Sequence, residues 1–126
     1  MTDLEKVKID GWELKNIKKQ TPELCLAAVK QSGSSIKYVK KQTPEICLAA
    51  VKKYGLALQY VKRQTPEICV AAVKQYGWAL QFVKKQTPEI CLAAVNEIAS
   101  SIDYITDPDC LNAVRKQHPE LIAGLL

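Results

Sequence analysis

The residues of this 126-residue chain best suited to metal or redox chemistry are its five cysteines. Cys25, Cys47, Cys69 and Cys91 stand 22 residues apart, and Cys110 follows after a shorter step. A zinc ion needs sulfurs converging at about 2.3 Å, and a disulfide needs Cα atoms within about 7 Å. In a stacked repeat, equivalent side chains lie one helix spacing apart, roughly 8–10 Å, and meet neither requirement. The single histidine, His118, falls outside the cysteine register. Cysteine also packs as a small apolar residue. Five buried thiols are therefore expected, with no metal and no cofactor. The sequence shows no histidine paired with a nucleophile, no glycine-rich phosphate loop and no clustered carboxylates. A non-catalytic protein is expected.

The cations recur with the same period as the cysteines: Lys18-Lys19, Lys40-Lys41, Lys62-Arg63 and Lys84-Lys85. Stacking would line them up as a ridge of eight charges able to hold phosphates in a salt-dependent way. The whole-chain balance is milder, 18 Lys and Arg against 13 Asp and Glu. Glu23, Glu45, Glu67 and Glu89 stand only a few residues from the ridge. Nucleic acid is thus an alternative partner, and a protein is the favoured one.

Aromatic residues form a further row, Tyr38, Tyr60, Phe82 and Tyr104, expected to pack half-buried between units. Two other registers vary from copy to copy. Trp12, Ser34, Leu56, Trp78 and Ser100 share one, and Tyr54, Tyr76 and Ile98 share another. Variation inside a copied unit suggests a surface that packing does not fix, and Trp and Tyr are frequent binding anchors. Trp12, Tyr54, Tyr76 and Trp78 are the predicted protein-contact residues.

Pro22, Pro44, Pro66 and Pro88 share the 22-residue period, and Gln-Thr-Pro-Glu-(Leu/Ile)-Cys opens each unit. Thr43 is a natural N-cap, Pro44 suits the first helical position, and Glu45 complements the helix dipole. The first helix of a unit is predicted to run to about Lys53. A break at Gly55 follows, its backbone freedom permitting the turn. A second α-helix is predicted from about Leu56 to Lys62-Arg63. Apolar residues wrap around both segments, so each helix must be covered by more than one neighbour. The fold class is all-α: a short α-solenoid of about five stacked two-helix hairpins in a single domain. Residues 1–19 form a partial first unit; 20–41, 42–63, 64–85 and 86–105 are repeats, and 106–126 is a C-terminal cap. Unless the tail folds back as a cap, Leu121, Ile122, Leu125 and Leu126 would pair two copies. The longest apolar run is six residues, against roughly 20 for a membrane span. With no apolar signal core at the start, the expected location is intracellular, away from membranes.

Residues 44–61, Pro-Glu-Ile-Cys-Leu-Ala-Ala-Val-Lys-Lys-Tyr-Gly-Leu-Ala-Leu-Gln-Tyr-Val, resemble the repeats called domain of unknown function 4116. The signature Ala-Ala-Val-Lys-x-x-Gly-x-x-Leu recurs at 49–58 and 71–80, and at 27–36 with Ile36 in the Leu place. The fourth copy departs, with Asn96 for Lys and Ala99 for Gly, which predicts a looser break there. Such repeats are common in giant DNA viruses of amoebae, so the resemblance implies a viral or intracellular-bacterial protein acting in host cytoplasm. It brings no functional residues. The function expected is a protein-binding or scaffold solenoid, with nucleic-acid binding and structural self-assembly as alternatives.

Overall fold

The computed structural model describes residues 1–123, and their regular elements are all helical. Four α-helices carry the repeat: α2 (Pro22–Gln31), α3 (Pro44–Lys53), α4 (Pro66–Gln75) and α5 (Pro88–Glu97). Each begins with its proline in the first turn, behind a threonine whose hydroxyl accepts a backbone N–H three residues on, as in Ile46 N to Thr43 Oγ1 at 3.3 Å. A shorter α1 (Asp3–Ile9) precedes them, started by a capping box between Thr2 and Glu5.

The second element of every unit differs from the prediction. It is a six-residue 3₁₀ helix: η1 (Gly11–Asn16), η2 (Gly33–Tyr38), η3 (Gly55–Tyr60), η4 (Gly77–Phe82) and η5 (Ala99–Tyr104). One extended residue (Ser32, Tyr54, Tyr76 or Ile98) ends the α-helix and starts the 3₁₀ turn. The segment closes as Val61 N donates to Leu58 O at 3.0 Å. The cation pairs therefore lie in the bend after the 3₁₀ helix, leading into the next α-helix, and not on a helical last turn. Their recurrence needs another reason than a helix dipole.

The glycines are also required for a different reason from the one predicted. None of the glycines among the described residues has a positive φ. Instead, a Cβ on Gly55 would stand 2.6 Å from the carbonyl oxygen of Ala72, and one on Gly33 would stand 2.4 Å from that of Ala50. Glycine is there so that each 3₁₀ helix can press on the end of the next α-helix. Ala99 is tolerated at the same place because the next α-helix, Pro108–Gln117, packs on α5 and not closely on η5, which leaves the Ala99 side chain exposed. Its 3₁₀ helix forms like the others, with no looser break.

The α-helices lie side by side in one layer and the 3₁₀ helices in a second, each α-helix packing on its own 3₁₀ helix and on the preceding one. Between the layers runs one continuous core. Its repeating members are Ile46, Cys47, Ala50, Val51, Ala57, Leu58 and Val61 and their equivalents. The aromatic row is half-buried, as expected.

Glutamines hold the two layers together. Gln42 Nε2 donates to Tyr60 O at 2.8 Å, and its Oε1 accepts Lys62 N–H at 3.0 Å. Gln20, Gln64 and Gln86 make the same pair of bonds. Each ties the start of a unit to its end and satisfies backbone groups that the 3₁₀ helix leaves without partners. A second set of polar bonds crosses from unit to unit. Gly11 N–H donates to Gln31 Oε1 at 2.7 Å, Gly55 N–H to Gln75 Oε1 at 2.6 Å, and Gly77 N–H to Glu97 Oε2. Lys53 holds that place in its unit, has no acceptor to offer, and leaves Gly33 N–H without the bond.

Beyond η5 the period breaks. Helix α6 (Pro108–Gln117) starts behind Asp107, whose carboxylate accepts the N–H groups of Asp109 and Cys110, and α7 (Pro119–Ala123) packs on α6. His118 Nε2 lies 2.8 Å from Asn96 Oδ1, fastening the last turn to α5.

Candidate functional site

All five thiols are buried, as the sequence predicts. Burial raises the pKa of Cys25, Cys47, Cys69 and Cys110. Cys91 is pushed up to about 12, by burial first and then by the neighbouring Cys110. A thiol held in its neutral form is a poor nucleophile and a poor metal ligand. Each repeat thiol instead points at the glutamine of its own unit, with sulfur–oxygen distances of 3.5–3.7 Å.

The four predicted aromatic contact residues do not gather into one patch. Trp12 Nε1–H donates to Ser34 Oγ at 2.9 Å, and its ring meets Tyr38 edge-on with centroids 6.0 Å apart. The Lys37 ammonium sits 4.6 Å from the Trp12 ring centroid. Three units on, Trp78 Nε1–H donates to Ser100 Oγ at 2.7 Å, and Tyr76 packs on Trp78 at 5.5 Å. Trp12 and Trp78 thus make the same clasp to the following unit, at two separate seams. Part of the copy-to-copy variation in that register is a matched Trp–Ser pair. Tyr54 is 40% exposed at the corner between α3 and η3.

Lys18, Lys19, Lys40, Lys41, Lys62, Arg63, Lys84 and Lys85 all have exposed side chains in equivalent bends. Lys40 Nζ–H also donates to Lys18 O at 3.0 Å, one unit back. Of the segment expected to self-associate, Leu121 packs against the core, Ile122 falls in α7, and Leu125 and Leu126 lie outside the described residues.

The surface that sequence reasoning missed is the outer face of the α layer. The repeat α-helices present a common stripe at positions i, i+3, i+4 and i+7, Glu45, Leu48, Ala49 and Lys52 in α3, with Asn96 in the lysine place of α5. Between neighbouring α-helices lie four open grooves of about 410, 450, 470 and 460 Å³. Their floors are Leu or Val and Ala, with Lys and Glu at the rims. Near-equal volumes at a 22-residue interval make this a periodic surface rather than a single pocket. Leu26, Leu48, Val70 and Leu92 have no partner layer to cover them, and each remains half-buried. No group of three or more His, Cys, Asp or Glu side chains is placed to hold a metal ion among the described residues. Nor is any described helix long and apolar enough to cross a membrane.

No curated protein and no solved structure matches the chain. Residues 43–87 match the family model described as Domain of unknown function (DUF4116), a span of two units, and with the same 22-residue pattern on either side the chain resembles that repeat family.

Proposed function

We propose that the chain is a non-catalytic protein-binding module and that it engages an elongated partner across the outer face of the α layer. The observation that carries this reading is the row of four near-equal grooves. A partner lying along the array would meet the same apolar floor and the same charged rims at every step. Helical repeats use extended faces in this way, with recognition spread over several units. The role is set in the cytoplasm of a host cell, a setting that rests on the resemblance to repeats common in giant viruses. A photo-reactive amino acid placed at Leu48, compared with one at Gln59 on the 3₁₀ side, tests the face. Protein adducts from position 48 and none from 59 are expected, and Val70→Arg should abolish them. Equal adducts from both positions would reject the α face.

The basic ridge supports a second reading, nucleic-acid binding, because its eight side chains are exposed and none forms an ion pair among the described residues. Binding to RNA that weakens steeply with salt, and that is lost when Lys40, Lys41, Lys62 and Arg63 become Glu, is the expected result. Retained binding in that variant would dismiss the ridge.

A further inference from the structure

The charges on the α face are sorted by sign. Glu23, Glu45, Glu67 and Glu89 form one row at the helix N-termini, and Lys8, Lys30, Lys52 and Lys74 form a second row. All eight are exposed, and the apolar floor runs between them. The one acid–base contact within 4 Å among the described residues is His118–Glu120, so neither row meets an opposite charge among them.

Parallel rows of opposite sign flanking an apolar strip have a particular symmetry. Turn a second copy by half a revolution about the long axis of the array and lay its α face on the first. Its lysine row then falls on the glutamates, its glutamate row on the lysines, and its leucines on the leucines. Such an isologous contact satisfies both rows with one surface. The geometry points to a second copy of this chain as the partner of the α face, the two arrays running side by side in the same direction. This inference rests on the α-face reading above.

The size of the face is consistent with such a pair. Four helices at about 10 Å spacing, and about 10.5 Å of helix between the two rows widened by the long Glu and Lys side chains at its edges, give a strip of about 40 by 15 Å. That is about 600 Å² on each copy and about 1,200 Å² in the pair, the lower edge of specific protein interfaces. The pairing is accordingly a micromolar one, and salt weakens it because its charges lie at the rim.

Sedimentation of the full chain over a micromolar concentration series is the test, run at low and at high salt. A monomer–dimer equilibrium is expected, shifted at least tenfold toward monomer by high salt. Two charge-reversed triples then probe the register: Lys30→Glu with Lys52→Glu and Lys74→Glu, and Glu45→Lys with Glu67→Lys and Glu89→Lys. Each alone should be monomeric, and an equal mixture of the two should form dimers. A wild-type chain that stays monomeric throughout would overturn the inference even if both triples lost their fold. So would a triple that pairs with itself as well as wild type does, or open-ended polymers insensitive to either reversal. If the wild type is monomeric while position 48 still yields adducts to a different protein, the α face remains a binding surface and self-pairing alone is rejected. If position 48 yields no adduct of any kind, both fall.

Discussion

Two hydroxyls in the core give the structure its sharpest energetic test. Ser35 and Ser101 are fully buried, and neither Oγ has a hydrogen-bond partner among the described residues. At the same place in the two intervening units stand Ala57 and Ala79, also fully buried. The backbone therefore accommodates alanine here without rearrangement. A buried unpaired hydroxyl costs about 1–3 kcal/mol. Removing one oxygen leaves a void of roughly 15 Å³, worth about 0.4 kcal/mol at ~24 cal/mol per Å³. Ser35→Ala should thus raise stability by about 1–2 kcal/mol. The double variant with Ser101→Ala should gain about twice that, because the sites lie three units apart and share no partner. The assay is urea unfolding followed by circular dichroism, with thermal melting alongside. Each kcal/mol should appear as about 3–5 °C in a chain of this size. Ala57→Ser and Ala79→Ser should lose what the reverse changes gain. A loss of stability in Ser35→Ala, together with no loss in Ala57→Ser, would refute the reasoning.

Other substitutions test the remaining polar contacts. Gln64→Ala removes the bonds to Phe82 O and Lys84 N and should cost about 2–3 kcal/mol in the same unfolding assay. Lys53→Gln should supply Gly33 N–H with the acceptor that Gln31 and Gln75 supply to Gly11 and Gly55, raising stability by about 1 kcal/mol. Gly55→Ala forces a Cβ against the Ala72 carbonyl and should cost about 1–3 kcal/mol. The thiols set a pH dependence. The Cys91 pKa is raised on folding, so the folded chain holds that proton more tightly than the unfolded one. Stability is then fully present below about pH 9 and declines as pH rises toward about 12. Alkaline unfolding profiles should show a shallower decline in Cys91→Ala, and thiol reagents should label the native chain slowly until denaturant is added.

Much of this architecture could be read from local chemistry. Thr43 and Pro44 announce a helix start by mechanisms that act within four residues, so their repetition fixed four helices in the sequence. The second element was harder. Its hydrogen bonds run to i+3 within only six residues, and a stretch such as Gly55–Tyr60 has too few turns for a 3.6 period to differ visibly from a 3.0 period. Gly55 itself gave the right location with the wrong cause, because its need for space comes from Ala72, 17 residues away. Gln20, Gln42, Gln64 and Gln86 carried a signal that local reasoning passes over: a polar residue kept in every copy while other positions changed. The α-face stripe was hidden in the same way. Leu48 looks like any other core leucine until the second layer is known to lie on the opposite side.

The reach of the tertiary bonds has a kinetic consequence. The glutamine clasps join residues 18 and 20 apart, and the tryptophan–serine clasps join residues 22 apart. Each of those loops is about one unit long, however many units the chain contains. Loop closure is the entropic step that slows folding, and chains with short-range contacts fold fastest. Extending such an array adds mass and surface without adding a longer loop to close. A gene that duplicated this unit would acquire a larger protein at little cost in folding speed, which is a physical reason for growth by copying.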